Sequence, residues 1–166
     1  MNSRKILYLF FGVVFVFVIF VVIPFLLISL NTYFNLPVYT NIYVKSIGIF
    51  FLLFGFSVIA YSTILHMKTG RVTPLPVVEK PKKFIVYGLY KYSRNPMYTA
   101  EIFLLFGLFF FLGYALLLLF PFIFFVCAYV LVVYIEEPEL RRIFGKEYIQ
   151  YTKRVSRWLP ECWNKK

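Results

Sequence analysis

From Met97 to Ile135 the chain is apolar almost without interruption, with Glu101 as the one charged side chain, and this run limits what the chain can fold into. As a single helix at 1.5 Å per residue it would reach about 58 Å, nearly twice the roughly 30 Å hydrocarbon core of a bilayer. The run has to reverse, and Gly113-Tyr114 near its middle is the place for it. The spacing predicts two helices, about Met97–Leu112 and about Tyr114–Ile135, closed into a tight hairpin. Both ends of a hairpin return to the same membrane face. The polar cluster that enters the run, Gly88 to Tyr98, then meets the one that leaves it, Ile135-Glu136-Glu137-Pro138-Glu139-Leu140.

Composition supports the membrane reading. In 166 residues, 61% hydrophobic and 23% aromatic content leaves too little polar surface to cover a soluble globule. The expected fold is all-α and integral to the membrane, a single domain over residues 1–166 whose site is built from membrane helices and short loops. Ile6–Leu30 is too long for the roughly 7–15-residue apolar core of a signal peptide and reads as an uncleaved first span. A second span fits about Ser46–His66, which gives about four transmembrane helices. Pro24 and Pro121 fall inside these spans and are expected to kink them.

The net charge of +11 lies on one side of this layout. Apart from Lys45, every lysine and arginine lies at the N-terminus, in the Lys68–Arg94 stretch or after Glu139. The positive-inside rule puts both termini and that loop in the cytoplasm, with the Asn31–Tyr43 connection and the hairpin tip outside. Basic residues that flank spans point to anionic lipid headgroups, and no nucleic-acid module is visible. Within the loop over 67–96, Pro74, Pro76 and Pro81 favour an extended segment along the membrane face. After Pro138, apolar positions at three- and four-residue steps (Leu140, Ile143, Phe144, Tyr148, Tyr151, Val155, Trp158) predict an amphipathic helix over about 138–158.

Several chemistries find no residues to carry them. Cys127 and Cys162 give neither a disulfide framework nor metal-ligand spacing, and one histidine, His66, cannot build a zinc site. No Gly-x-Gly phosphate loop and no Gly-x-Ser-x-Gly elbow occurs. What remains is acidic. Glu101, Glu136 and Glu137 lie in or beside the hairpin, where a carboxylate costs about 2.5–3.5 kcal/mol at a helix centre and is by default a functional candidate. Snorkelling of Glu101 or its pairing with Arg94 or Lys91, and a boundary role for Glu136-Glu137, are the plainer alternatives. Pro96 can open the third helix at its first turn, with Tyr90 and Tyr98 flanking Arg94-Asn95-Pro96.

In order and spacing, these residues resemble a known superfamily. Gly88-x-Tyr90-x-x-x-Arg94-Asn95-Pro96-Met97-Tyr98 comes first, followed by a hairpin and Glu136-Glu137-Pro138-x-Leu140. Phe144-Gly145-x-Glu147-Tyr148 and Val155-x-Arg157-Trp158-x-Pro160 complete the likeness, which covers about Pro74 to Pro160. The pattern is similar to that of the isoprenylcysteine carboxyl methyltransferases and phospholipid methyltransferases. The resemblance implies an S-adenosylmethionine-dependent methyltransferase with its cofactor site at the cytosolic end of the hairpin and a lipid-like acceptor. By position it implies cofactor contacts at Tyr90, Asn95, Pro96, Met97, Tyr98 and Glu136, with Glu137 beside them. Lys82–Ile85, and so Phe84 and Ile85, match a loop that closes over the cofactor.

Glu136 and Arg94 are the candidates for a direct part in catalysis: a carboxylate of Glu136 or Glu137 can pair with the cofactor's amino group or bind its ribose hydroxyls, and Arg94 or nearby amides can meet its carboxylate. Two positions depart from the pattern. Asn95 stands where many members have histidine, and Val132 stands where the isoprenylcysteine enzymes place a carboxylate-binding arginine one turn before the first glutamate. The second departure counts against a prenylcysteine carboxylate as acceptor and leaves the cofactor site undisturbed. Membrane sterol reductases, which use NADPH, share a similar C-terminal layout, but their Arg-Asp pair and cysteine are missing here. A non-enzymatic protein of the same fold is the third reading; acceptor and oligomeric state stay open.

Overall fold

The computed structural model describes residues 3–68 and 84–159, with side chains from residue 10 onward. The prolines at 74, 76 and 81, Lys82, Pro160 and Cys162 lie outside the described residues, as does most of the expected extended loop. The chain is an all-helical membrane protein. Its one β contact among the described residues is a single bridge between Val38 and Tyr114.

The first long helix joins α1 (Ser3–Phe17) to α2 (Ile23–Tyr33) through a π-helical turn at Val18–Val22. Pro24 explains that turn. It has no N–H to give four residues back and its ring would collide with that carbonyl, so the helix widens before it, with Ile23 N–H reaching Val18 O. Next come α3 (Ile42–Lys68) and α4 (Pro96–Leu112), then α5 (Leu119–Leu131), a second π-helical turn (Val132–Glu136) and α6 (Glu137–Thr152). Three helical stretches, Phe10–Tyr33, Ile42–Lys68 and Ala115–Thr152, are long and apolar enough to cross a membrane, while Pro96–Leu112 is apolar but shorter. Phe10, Phe11, Phe15, Phe25 and Phe50 are exposed, as lipid-facing side chains are.

The hairpin reverses at Gly113, whose left-handed backbone (φ 80°) caps α4. Such a conformation suits glycine because no Cβ meets the following carbonyl. Pro121 sits near the start of α5 rather than deep in a span, where its missing N–H costs little, so the kink expected there is replaced by a helix start after a short 3-10 turn at Ala115–Leu118. The α2–α3 connection docks onto this reversal. Tyr39 N–H donates to Gly113 O (2.8 Å) and Ala115 N–H to Pro37 O (3.2 Å). Fully buried Asn31 accepts from Leu116 N–H (3.0 Å) and donates to Leu36 O (3.0 Å).

The α3 and α4 helices pack at close range through small residues, as membrane helices do when dispersion has to hold them together. A Cβ on Gly48 would stand 2.6 Å from Phe111 N, and one on Gly55 2.8 Å from Ala100 O. Gly55→Val is therefore expected to lower stability by at least about 1–3 kcal/mol, the usual cost of overpacking. Denaturant unfolding in micelles checks this, and an unchanged midpoint would contradict the packing. On the other side of α4, Leu105, Phe120, Phe124 and Ala128 form the core, with Ile19, Phe20 and Ile23 of the first helix against it.

One expected element differs. The amphipathic helix ends at Thr152, not near residue 158, and it bends at Gly145 (φ 52°, ψ −123°). The positive φ interrupts the helical repeat at Gly145, and Val155 and Trp158 lie in the turns beyond Thr152. The turn at Ser156 folds back, its carbonyl accepting from Arg94 N–H at 3.0 Å.

Candidate functional site

Pro96 opens α4, where proline's fixed φ suits a helical first turn. Two residues on, Tyr98 points its hydroxyl across the hairpin and donates to Glu136 Oε1 at 2.6 Å. Glu136 closes the π-helical turn Val132–Glu136, in which the Glu137 N–H reaches back to Val132 O. The wider turn changes the angular step between neighbouring side chains, and both Glu136 and Glu137 are buried.

The two carboxylates have different partners. Glu136 takes the tyrosine hydroxyl and faces an open cleft. Glu137 is held by two guanidiniums: Arg94 Nη1 donates to Oε1 (2.9 Å), Arg157 Nε to Oε1 (2.7 Å) and Arg157 Nη2 to Oε2 (3.2 Å). The hydrogen bond to Glu137 raises the pKa of Arg157 above its ordinary value, so that guanidinium stays charged. Arg157 also lies over the Tyr129 ring at 5.6 Å. The pairing of Glu101 with Arg94 weighed from sequence gives way to this clamp.

Asn95 secures the same turn. Its Nδ2 donates to Arg157 O (3.0 Å), its backbone N–H donates to Ser93 Oγ (3.2 Å), and Ser93 Oγ donates to Arg157 O (3.4 Å). The 3-10 turn Gly88–Lys91 brings in Tyr90, whose hydroxyl lies 2.7 Å from His66 Nε2 and whose carbonyl accepts from Tyr151 O–H at 2.7 Å. Phe84 stacks on Phe144 (4.9 Å) and meets Tyr151 edge-on (5.0 Å).

Among these residues lies a cleft whose empty space, the open solvent at its mouth included, is about 470 Å³. Of the residues marked from sequence, Phe84, Ile85, Tyr90, Arg94, Asn95, Glu136 and Glu137 line it. Pro96, Met97 and Tyr98 are not part of its lining: Pro96 is buried, Met97 is half-buried, and Tyr98 reaches Glu136 from outside. Val132 lines the wall beside Glu136. Arg94 Nε is buried with no hydrogen-bond partner, a donor left over in the wall of the cleft.

Two contributors carried little weight in the sequence. His66 ends the second span as a lone interfacial histidine, yet it lines the cleft against Tyr90. Arg157 stood among the basic residues of an expected helix, and only its place in the Val155-x-Arg157-Trp158 pattern set it apart. Trp158 packs on Tyr98 at 6.5 Å and on Phe125 at 5.2 Å, so the chain beyond α6 covers the hairpin's mouth.

Residues 43–147, more than half of the chain, match the family model described as phospholipid methyltransferase. The chain belongs to the phospholipid methyltransferase family. No curated protein and no solved structure matches it. Membership in this family places the chain among membrane methyltransferases, and the matched span holds α3 through most of α6. All the residues described for the cleft's lining lie within it except Tyr148 and Tyr151, while the turn that carries Arg157 follows it.

Proposed function

We propose that this chain transfers the methyl group of S-adenosylmethionine to a lipophilic or amphiphilic acceptor, phospholipid-like or isoprenylcysteine-carboxylate-like, at the cytosolic face of the bilayer. The observation that carries the reading is the cleft at the open end of the hairpin. There Glu136, a buried carboxylate, and Arg94, whose Nε is buried with no hydrogen-bond partner, line one cleft in a chain of methyltransferase family. A zwitterionic ligand with an amino group and a carboxylate complements that donor and acceptor by charge-assisted hydrogen bonding.

When bound, S-adenosylmethionine supplies an electrophilic methyl on a sulfonium. The protein's part is to hold donor and acceptor in line and keep water out. In this reading Glu136 binds the amino group or ribose hydroxyls and Arg94 meets the carboxylate. Tyr90, Asn95 and Glu137 line the rest of the cofactor site, and Pro96, Met97 and Tyr98 support it from behind that lining. Phe84 and Ile85 cover it from the loop side. The acceptor enters laterally from the bilayer, with α4 completing four spans and both termini in the cytoplasm.

Calorimetry on detergent-purified protein tests the cofactor, with saturable binding of S-adenosylmethionine and none of NADPH as the expected result. The reverse preference would favour the reductase reading. Labelled S-adenosylmethionine with native lipid extract identifies the acceptor fraction, and tag accessibility in oriented vesicles checks that both termini share one side.

A further inference from the structure

His66 lines the cleft but is no part of the donor and acceptor pair that a zwitterion would meet. It sits in the last turn of α3 and is 6% exposed. Its Nε2 lies 2.7 Å from the Tyr90 hydroxyl, and the two rings meet edge-on at 5.5 Å. The backbone around Tyr90 is fixed independently. The Tyr90 carbonyl accepts from Tyr151 O–H (2.7 Å), and Gly88 (φ 64°) fits so closely against α3 that a Cβ there would stand 2.7 Å from the Tyr61 hydroxyl. The imidazole therefore governs the Tyr90 side chain rather than the path of the turn.

What Tyr90 presents to the cleft depends on whether that imidazole is charged. A neutral ring with its proton on Nδ1 accepts the tyrosine's proton at Nε2, and the phenolic oxygen then offers lone pairs to a ligand. A protonated ring has two N–H donors; Nε2–H donates to the phenolic oxygen and turns the tyrosine's proton outward. It also adds a positive charge to the cleft. We propose that His66 is a positioning residue of the cofactor site: in its neutral form it holds the Tyr90 hydroxyl as an acceptor for an N–H or O–H group of S-adenosylmethionine. This rests on the methyltransferase reading above and deepens it at one side chain. The sulfonium gives the methyl donor one positive charge more than the thioether left after transfer, so a protonated His66 opposes the donor more than the product. Among the described residues, Glu136 and Glu137 reach the cleft from the end of the hairpin, Arg94 from the turn before α4, and Tyr148 and Tyr151 from α6, while Lys68 follows on α3 itself. Glu136 favours a charged imidazole and Arg94 opposes one, whereas Glu137 is taken by Arg94 and Arg157. Donor binding shifts this balance toward the neutral ring.

The test is calorimetry on the full chain in micelles, with S-adenosylmethionine and S-adenosylhomocysteine as probes, for wild type, H66Q, H66F, Y90F and H66F/Y90F. In wild type, S-adenosylmethionine affinity should fall about tenfold from about pH 7.5 to about pH 5.5, the change for one group of pKa about 6.5 that has to be neutral. S-adenosylhomocysteine affinity should fall less. H66F cannot bond Tyr90 and should bind S-adenosylmethionine about fivefold more weakly at the higher pH, the scale of one hydrogen bond. H66Q keeps a hydrogen-bonding amide without a titrating ring, so it should recover part of that loss and give a flat pH profile. H66F/Y90F should bind no worse than Y90F, because His66 acts through that hydroxyl. A flat wild-type profile, a wild-type profile that persists in H66Q, an equal fall for both ligands, or losses from H66F and Y90F that add overturns the assignment and leaves the methyltransferase reading standing. If H66F does not melt cooperatively, the H66Q profile decides. Wild-type protein that binds no S-adenosylmethionine at either pH overturns both readings.

Discussion

Glu137→Gln is expected to destabilise the protein by about 3–5 kcal/mol, the usual consequence of removing one partner from a buried ion pair. Glu137 is the acceptor for both Arg94 and Arg157, whose side chains are 11% and 28% exposed. Without it, two guanidiniums near the hairpin's mouth lose their counter-charge, and Arg94 has little water to turn to. Arg157→Met should cost less, because Glu137 keeps Arg94 and the more exposed partner is the one removed. The double variant Arg94→Met/Glu137→Met should recover part of the loss, since removing both charges leaves neither unpaired. Denaturant unfolding in micelles provides the comparison. A Glu137→Gln protein as stable as wild type would mean that the clamp adds nothing to the fold.

Its neighbour should behave in the opposite way. Glu136→Gln is expected to fold normally and to bind S-adenosylmethionine more weakly by about 1.5–3 kcal/mol, the worth of a hydrogen bond to a charged group. That corresponds to roughly 10- to 150-fold in Kd. The amide can still accept from the Tyr98 hydroxyl, so the internal contact survives while the negative charge toward the cleft is lost. Calorimetry and a thermal melt on the same sample separate the two effects. Unchanged affinity would return Glu136 to a packing role and weaken the proposed cofactor site. The two predictions rest on one structural asymmetry: adjacent glutamates that both line the cleft, one bonded by the Tyr98 hydroxyl and the other clamped between two arginines.

Much of this arrangement could be read along the chain, and the reasons are local. The length of the run from Met97 to Ile135 exceeds the bilayer, so a reversal was required, and Gly113 is the residue whose backbone tolerates it. Pro96 starts a helix because its φ is fixed and its missing N–H is not needed there. Once the hairpin exists, Arg94, Asn95, Glu136 and Glu137 have to meet at one end. The order of those residues was also enough to show the family resemblance.

Only the tertiary structure decided which partner each group takes. Arg157 belongs to the Glu137 clamp because Gly145 bends α6 and the chain folds back at Ser156, and no periodicity in the sequence encodes that return. Asn31 is buried at the far end because Leu116, 85 residues away, needs an acceptor for its N–H. Glu101 was visible as a charge in an apolar run, but whether Arg94 would neutralise it depended on competition with Glu137, which the folded geometry settled. The reason is physical: helix ends, turns and span lengths follow from interactions within a few residues, whereas the pairing of buried charges depends on which side chains long-range packing removes from water together.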